Sequence, residues 1–413
     1  MKASNINLSN QSSKKRKLAQ TTISSMFSQN SQNQSKRLKT NVVENKEDDL
    51  IDITVQANLC ISETVNPKST TGQKSKSKPI QASIEEEKKE SSANNKPSKA
   101  LKSKTLQDLF TFNYEDIKTV QEYRALFDEI ADLLLNHYVL TVNHHYKYRI
   151  AEIEFYFNDI HSGKVHPDTF THGDDLQTQI GQWYFHRFGK TFKVGTYKGM
   201  DLSFGKGAKA FGGILIRAIS SLGATDGKQL PPNEFIEGPC NSVNRILQHN
   251  STEQLTLKEV KEFVVLDGFN LDALTKNTRL YLSHLEDEEN KPFQKLLQTL
   301  KVYKCPRVGL TLKRFDEQKC EYWMADYRFL TYPHLHKKYA NFIHMCMLKD
   351  GMDVDQVVKA CKAQRKGVEE IEKQFRLALK DDKKRVSGYK TVENMKNGDF
   401  AYVYGLHQKG QYV

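Results

Sequence analysis

The composition of the chain changes abruptly near Thr105, and that change limits how much of it can fold. Residues 1–104 are rich in Ser, Asn, Gln, Thr and Lys and poor in aromatic residues. A segment of that make-up cannot bury enough apolar surface to offset the entropy of ordering it, so a disordered tail is expected there. From Thr105 onward Phe110, Phe112, Tyr114 and Tyr123 follow in quick succession and the apolar pattern becomes regular. The same break sorts the charge. The 413 residues have a net charge of +12, with 19 basic and 10 acidic residues in the tail against 43 and 40 in the rest. The tail can draw diffusely on phosphates, whereas a nucleic-acid surface on the folded part has to be a local patch.

Cys60, Cys240, Cys305, Cys320, Cys346 and Cys361 are widely scattered and form no CxxC pair. Their spacing argues against a zinc finger or a disulfide framework and for reduced thiols in a nuclear or cytosolic protein. The chain has no apolar run of about 18 residues, so no membrane span is expected. Its N-terminus also lacks the apolar core of a signal peptide.

Apolar periodicity predicts a helix over 117–139, with Tyr123, Leu126, Phe127, Ile130, Leu133 and Leu134 on one face. The stretch YKYRIAEIEFYF, 146–157, reads as a strand. Alternation puts Ile150, Glu152, Glu154 and Tyr156 on one face and Ala151, Ile153, Phe155 and Phe157 on the other. GILIRAI, 213–219, reads as a buried strand. Helices are expected to start near Pro239, and at Thr256, where Thr256 and Glu259 have capping-box spacing. Residues 354–380 read as a highly charged helix, most simply a solvated face.

The tail carries two kinds of motif. Lys14, Lys15, Arg16 and Lys17 form a basic cluster, and Lys36-Arg37-Leu38-Lys39 forms another. Such clusters serve as nuclear import signals, bind nucleic acid, or are simply solvated charge. Between them Gln20, Ile23, Met26 and Phe27 resemble the motif by which replication and repair proteins bind the sliding clamp, proliferating cell nuclear antigen. Met26 departs from the aromatic residue of that pattern. One helical turn would set Ile23, Met26 and Phe27 on one side as an apolar plug that folds on binding. Leu106-x-x-Leu109-Phe110 is a poorer echo and reads instead as the start of the folded domain.

The strand around Glu154 holds two carboxylates, Glu152 and Glu154, among aromatic and aliphatic neighbours. Carboxylates there are desolvated unless paired, and Arg217, the only charge in GILIRAI, is the available partner. A buried Glu–Arg pair is open to a structural reading and to a catalytic one. Ala151-Glu152-Ile153-Glu154-Phe155-Tyr156 resembles the strand of the alkyladenine (3-methyladenine) DNA glycosylases that carries their catalytic glutamate. Further similarities follow in the same order over residues 146–333: His172, Gly189, Tyr197-Lys198-Gly199, Gly213 to Ala218, Gly238-Pro239, Cys305-Pro306-Arg307-Val308-Gly309, Trp323 and Arg328-Phe329. The resemblance implies an α+β domain whose curved, mixed, mainly antiparallel sheet is flanked by helices. With the composition break and the apolar pattern, the domain is expected at 105–350, behind the tail at 1–104 and ahead of a helical extension at 351–413.

What the resemblance implies chemically is base flipping followed by hydrolysis of the N-glycosidic bond. Glu154 would take a proton from water and stabilise the cationic sugar, and Arg217 would orient Glu154 or the water. Tyr156 would stack on the flipped base, His172 would bond the sugar, phosphate or base, and Tyr197 would fill the gap in the duplex. The expected enzyme is monofunctional, without metal or organic cofactor, and acts as a nuclear monomer on double-stranded DNA. Aligned from Gly189 without a gap, the family's second stacking aromatic falls on Val194 and its pocket asparagine on Phe204. Two rival readings stand. One is a metal site built on His166, Asp168 and His172. The other is a non-catalytic DNA-binding scaffold that retains the fold and is recruited by the clamp.

Overall fold

Alternation in YKYRIAEIEFYF builds β2 (Tyr146–Asp159), which lies inside a nine-stranded sheet in the computed structural model. The structure describes residues 105–413 except 112, 114–115, 160–164, 208–209, 225–233, 250–254, 257, 261–271, 277, 288–298, 314–315 and 393. The tail's basic clusters and its clamp-like motif (Gln20, Ile23, Met26, Phe27) lie outside the described residues. The other strands of the sheet are β1 (Tyr138–Val142), β3 (Trp183–Phe185), β6 (Met200–Ser203), β7 (Ala210–Ala224), β8 (Phe235–Glu237), β9 (Leu280–His284), β10 (Tyr303–Cys305) and β11 (Arg328–Leu330). Their order is β10-β11-β2-β7-β6-β3, with β1 joining β2 to β9 and β8 beside β7, and every pairing is antiparallel. Two short strands, β4 (Arg187–Phe188) and β5 (Thr191–Phe192), form a separate hairpin between β3 and β6. The fold is thus a mixture of helices and antiparallel sheet.

The register against β7 slips around Glu152. Glu152 stands opposite Ala218 and Ile153 opposite Ile216, so Arg217 falls at the irregularity. Strict alternation puts Ile150 with Glu152, but the structure buries Ile150 in the apolar cluster. An extra residue in a ladder re-aims the side chains around it, and here it turns Arg217 toward both glutamates.

Helix α1 (Leu106–Phe110) starts at a Thr105–Asp108 capping box and buries Leu106, Leu109 and Phe110. Helix α2 (Val120–Asp132) is capped by Thr119 and Glu122 and lays Tyr123, Phe127 and Ile130 on the sheet. The expected helix over 117–139 is too long. Leu133–His137 winds into a π-helical turn, and Tyr138 already belongs to β1, whose partners on both sides hold it extended. Helix α3 (Pro239–Gln248) begins with Pro at its first position. At Thr256 the side chain accepts the Glu259 amide, as the spacing predicted.

The segment 354–380 is two helices, not one. Lys362 takes a left-handed conformation, with φ 52°, and ends α6 (Val354–Cys361), and α7 (Arg365–Lys380) starts afresh. With α4 (Glu317–Trp323), α5 (Ala340–Lys349) and α8 (Asn397–Gln408) these helices build a second apolar cluster. It takes in Cys305 and Leu330 from the sheet edge, Met345 and Met347 of α5, Phe375 of α7 and Tyr404 of α8. Tyr404 is buried and donates to Asp326, and Tyr402 and Tyr412 pack at the cluster's margin. Among the described residues no helix is long and apolar enough to cross a membrane.

Candidate functional site

Directly opposed residues in an antiparallel ladder point to the same face of the sheet. Glu154 stands opposite Arg328 on one side and Leu215 on the other. Leu215 stands opposite Asp201, and Asp201 opposite Tyr184. Tyr184, Asp201, Leu215, Glu154 and Arg328 therefore form one row across one face. The opposite face holds Ile153, Phe155, Ile214, Ile216, Leu202 and Phe185, packed with Phe127 of α2. One face of the sheet is core, and the other gathers charge.

Glu154 is the centre of that charged face and is 0% exposed. Its Oε1 accepts the Val308 amide at 2.7 Å. Its Oε2 accepts the Tyr156 hydroxyl at 2.8 Å and Arg217 Nη1 at 3.3 Å. Burial and the Glu154 carboxylate push the Tyr156 phenol well above its ordinary pKa, which keeps it a donor. Arg217 Nε reaches Glu152 at 2.9 Å, and Arg328 Nε reaches the same oxygen at 2.6 Å. Burial works to raise the pKa of Glu152, but Arg328, Arg217 and His336 outweigh it and hold the carboxyl well below its ordinary value.

Val308 is placed by its neighbour. Arg307 is buried, donates to both oxygens of Asp168 at 2.6 and 3.2 Å, and also bonds the carbonyls of Phe155 and Tyr322. Its guanidinium lies 4.6 Å from the centre of the Tyr156 ring. Arg307 thus clamps the 305–309 segment against β2 so that the next amide meets Glu154. This contact answers to no separate sequence signal, because a backbone N–H looks alike at every position.

His166, Asp168 and His172 do not form a metal site. His166 bonds the Phe157 carbonyl and the Tyr327 hydroxyl, both at 2.8 Å, and Asp168 is taken by Arg307. Among the described residues no group of three His, Cys, Asp or Glu side chains could hold a metal ion.

His172 lies against His186, with ring centres 4.9 Å apart, and near the Tyr184 hydroxyl at 3.5 Å. Desolvation and the neighbouring His186 push its pKa down to about 4, although the residue still reaches solvent. His186 Nε2 bonds Asp201 Oδ1 at 2.7 Å. His172, Tyr184, His186 and Asp201 form a second group on the face that carries Glu154. Sequence reasoning missed three of them. The signal was present but short: Tyr184 and His186 alternate with Trp183 and Phe185, and Asp201 is an acid between apolar Met200 and Leu202.

Tyr197 ends a turn of 3-10 helix, Gly195–Tyr197, and is part-buried. The two positions aligned from Gly189 lie apart from Glu154's face of the sheet. Val194 is 53% exposed and off the sheet, and Phe204 is fully buried, stacked on Phe157 in the core. The β4–β5 hairpin lies between β3 and β6 in the chain. Phe188 in this hairpin is 86% exposed.

Cavities among the described residues lie elsewhere. One of about 250 Å³ is lined by residues including Arg124, Lys304, Lys349 and His407, and one of about 480 Å³ lies along β8 and α3; Glu154 lines neither.

The chain is 33% identical over 221 residues to the uncharacterized protein L759 of Acanthamoeba polyphaga mimivirus, an alignment that spans 49% of this chain and 89% of the viral protein. No family model matches the chain, and no solved structure matches it.

Proposed function

This chain belongs to the family of mimivirus protein L759, and we propose that it is a monofunctional DNA glycosylase of base-excision repair. It would flip a modified base, foremost an alkylated purine, and hydrolyse its N-glycosidic bond. The observation that carries the reading is the convergence on Glu154 of Arg217, Tyr156 and the Val308 amide. These residues come from three of the segments that resemble the alkyladenine glycosylases, and the finer architecture proposed is the curved sheet of that family.

In this reading Glu154 takes the proton of the attacking water while its charge stabilises the sugar cation, and Arg217 holds the carboxylate in place. Tyr156 stacks on the base. Glu154 is covered, so the reading requires an opening step. Tyr156 is the part-exposed donor on the carboxylate, and a swing of its ring is the shortest way to uncover it. Tyr197, with the exposed Phe188 ring nearby in sequence, would fill the gap in the duplex. Lys14 to Lys17 would serve nuclear import, and Gln20, Ile23, Met26 and Phe27 would hold the sliding clamp.

One observation favours a second reading. A carboxylate whose oxygens are all bonded inside a sheet is also how a purely structural ion cluster looks. In that case the protein is a clamp-recruited DNA-binding scaffold. Base release from duplexes carrying different lesions separates the two. The glycosylase reading expects release that Glu154→Gln and Glu154→Ala each slow by about 10²–10⁴-fold. Release unchanged in both variants overturns the catalytic assignment. Duplex binding by a wild type that releases no base favours the scaffold.

A further inference from the structure

The chain beyond the tail is nearly balanced in charge, yet one short stretch of it is not. Residues 380–396 hold Lys380, Lys383, Lys384, Arg385, Lys390 and Lys396 against Asp381, Asp382 and Glu393. That surplus, six basic against three acidic, equals the 43 against 40 of residues 105–413 as a whole. The stretch joins α7 to α8 and falls outside the segments that resemble the alkyladenine glycosylases.

Two of its acids are engaged in shaping the turn. Asp381 accepts the amides of Lys383 and Lys384 at 2.8 and 3.1 Å, as an aspartate that closes a turn does, and accepts the Tyr402 hydroxyl as well. Asp382 is paired with Lys409 at 2.6 Å. Arg385 Nη1 donates to the main-chain carbonyls of Asp382 and Lys384 at 2.8 and 3.0 Å. Among the described residues no carboxylate lies within 4 Å of the side-chain nitrogens of Lys380, Lys383, Lys384, Arg385 or Lys396. The adjoining face of α7 is different, because its cations are matched along the helix: Arg365 with Glu369, Lys373 with Glu370 and Arg376 with Glu372.

The unmatched cations also stand on a fixed base. Val386 is buried in the helical cluster, and the amides of Val386 and Ser387 bond the carbonyls of Gln411 and Tyr412, both at 2.9 Å. Lys384 Nζ lies 5.0 Å from the centre of the Tyr402 ring. Lys380, Lys383, Lys384 and Lys396 are exposed.

We propose that the turn at 380–385 is a phosphate-binding surface for the backbone of duplex DNA. The inference rests on the duplex binding common to both readings above and not on catalysis. A cation without a carboxylate partner gains most from a phosphate, since no ion pair has to be broken, and each such contact releases a counterion from the DNA. Contacts of this kind hold and orient a duplex without reading its sequence. A turn fixed from below also loses less freedom on binding than a loose tail does.

Fluorescence anisotropy of the full chain with a labelled undamaged duplex, between about 50 and 200 mM salt, tests this. The triple variant Lys380→Gln, Lys383→Gln, Lys384→Gln should make the slope of log affinity against log salt shallower by about 2–3, roughly one per lysine, whatever the duplex sequence. The triple variant Arg365→Gln, Lys373→Gln, Arg376→Gln removes the same charge from matched positions and should change the slope by less. Unchanged melting midpoints in both variants exclude loss of folding as the cause. An unaltered slope in the first variant, or an equal change in the second, overturns the proposal in favour of diffuse attraction. Leu377, Leu379 and Val392 are 47%, 42% and 42% exposed, so vesicles of phosphatidylcholine with phosphatidylserine are the second probe. Loss of vesicle binding in the first variant with its duplex slope intact assigns the turn to lipid and overturns the proposal as well. A wild type that binds no duplex removes both readings and this surface with them, whereas one that binds but releases no base removes only the glycosylase.

Discussion

Three ionisable side chains around Glu152 show how a charge is kept inside this sheet. Arg217 and Arg328 share its Oε1, and His336 Nδ1 stands 3.5 Å from Oε2. A carboxyl whose pKa is depressed on folding contributes stability that is complete above its unfolded value, here 4.5. That stability is lost as the pH falls toward the folded value. Acid unfolding should therefore set in below pH 4.5, and Glu152→Gln should remove part of that acid dependence. The same change should cost about 3–5 kcal/mol at neutral pH, because buried Arg328 loses its carboxylate and Arg217 loses one of its two. Urea denaturation at a series of pH values measures both, and an unaltered acid slope in the variant would refute the account. The meeting of Glu154 and Arg217 was legible in the sequence, since a lone charge in an apolar strand has to find a partner. The His186–Asp201 pair was not, because strands of three and four residues are too short for alternation to stand out.

The helices and strands were legible where periodicity ran long. β2 and the start of α3 follow their patterns, whereas the limits of α2 depend on its cap and on partners the sequence does not display. Tyr138 is taken from the helix by strands on both sides, and Ile150 is turned into the core by a register slip. The hairpin of β4 and β5 was not read from the sequence, because strands of two residues leave no alternation to follow. It also yields a direct test. Phe188 is exposed, so Phe188→Ala should leave stability within about 0.5 kcal/mol of the parent. If its ring stacks on bases, the same change should weaken duplex binding by about 1–3 kcal/mol. Tyr197→Ala is expected to weaken binding as well. Fluorescence anisotropy with a labelled duplex would show either ring to be a bystander if its removal left affinity intact.

At the scale of the whole molecule, Thr105, where the composition changes, caps a helix. The charged look of residues 354–380 concealed how much of that region turns inward. Val368, Ile371, Phe375 and Ala378 are buried along α7, and α8 adds Ala401, Val403, Tyr404 and Leu406 to the same cluster. A chain ending at residue 350 would expose Met345, Met347 and Leu330, which that cluster covers. It should be recovered poorly in soluble form and melt well below the full chain. A truncated protein with the parent's melting midpoint would show that α6 to α8 are dispensable.

The double grip of Arg217 has an implication for anyone wishing to make this protein sturdier. Buried ionic clusters are often replaced by well-fitting hydrocarbon with a gain in stability. Here that remedy is closed, because the side chain that would be redesigned for robustness is the one that also steadies Glu154. Variants selected for heat resistance should therefore change elsewhere, and one that does alter Arg217 should trade whatever Glu154 does for its added endurance.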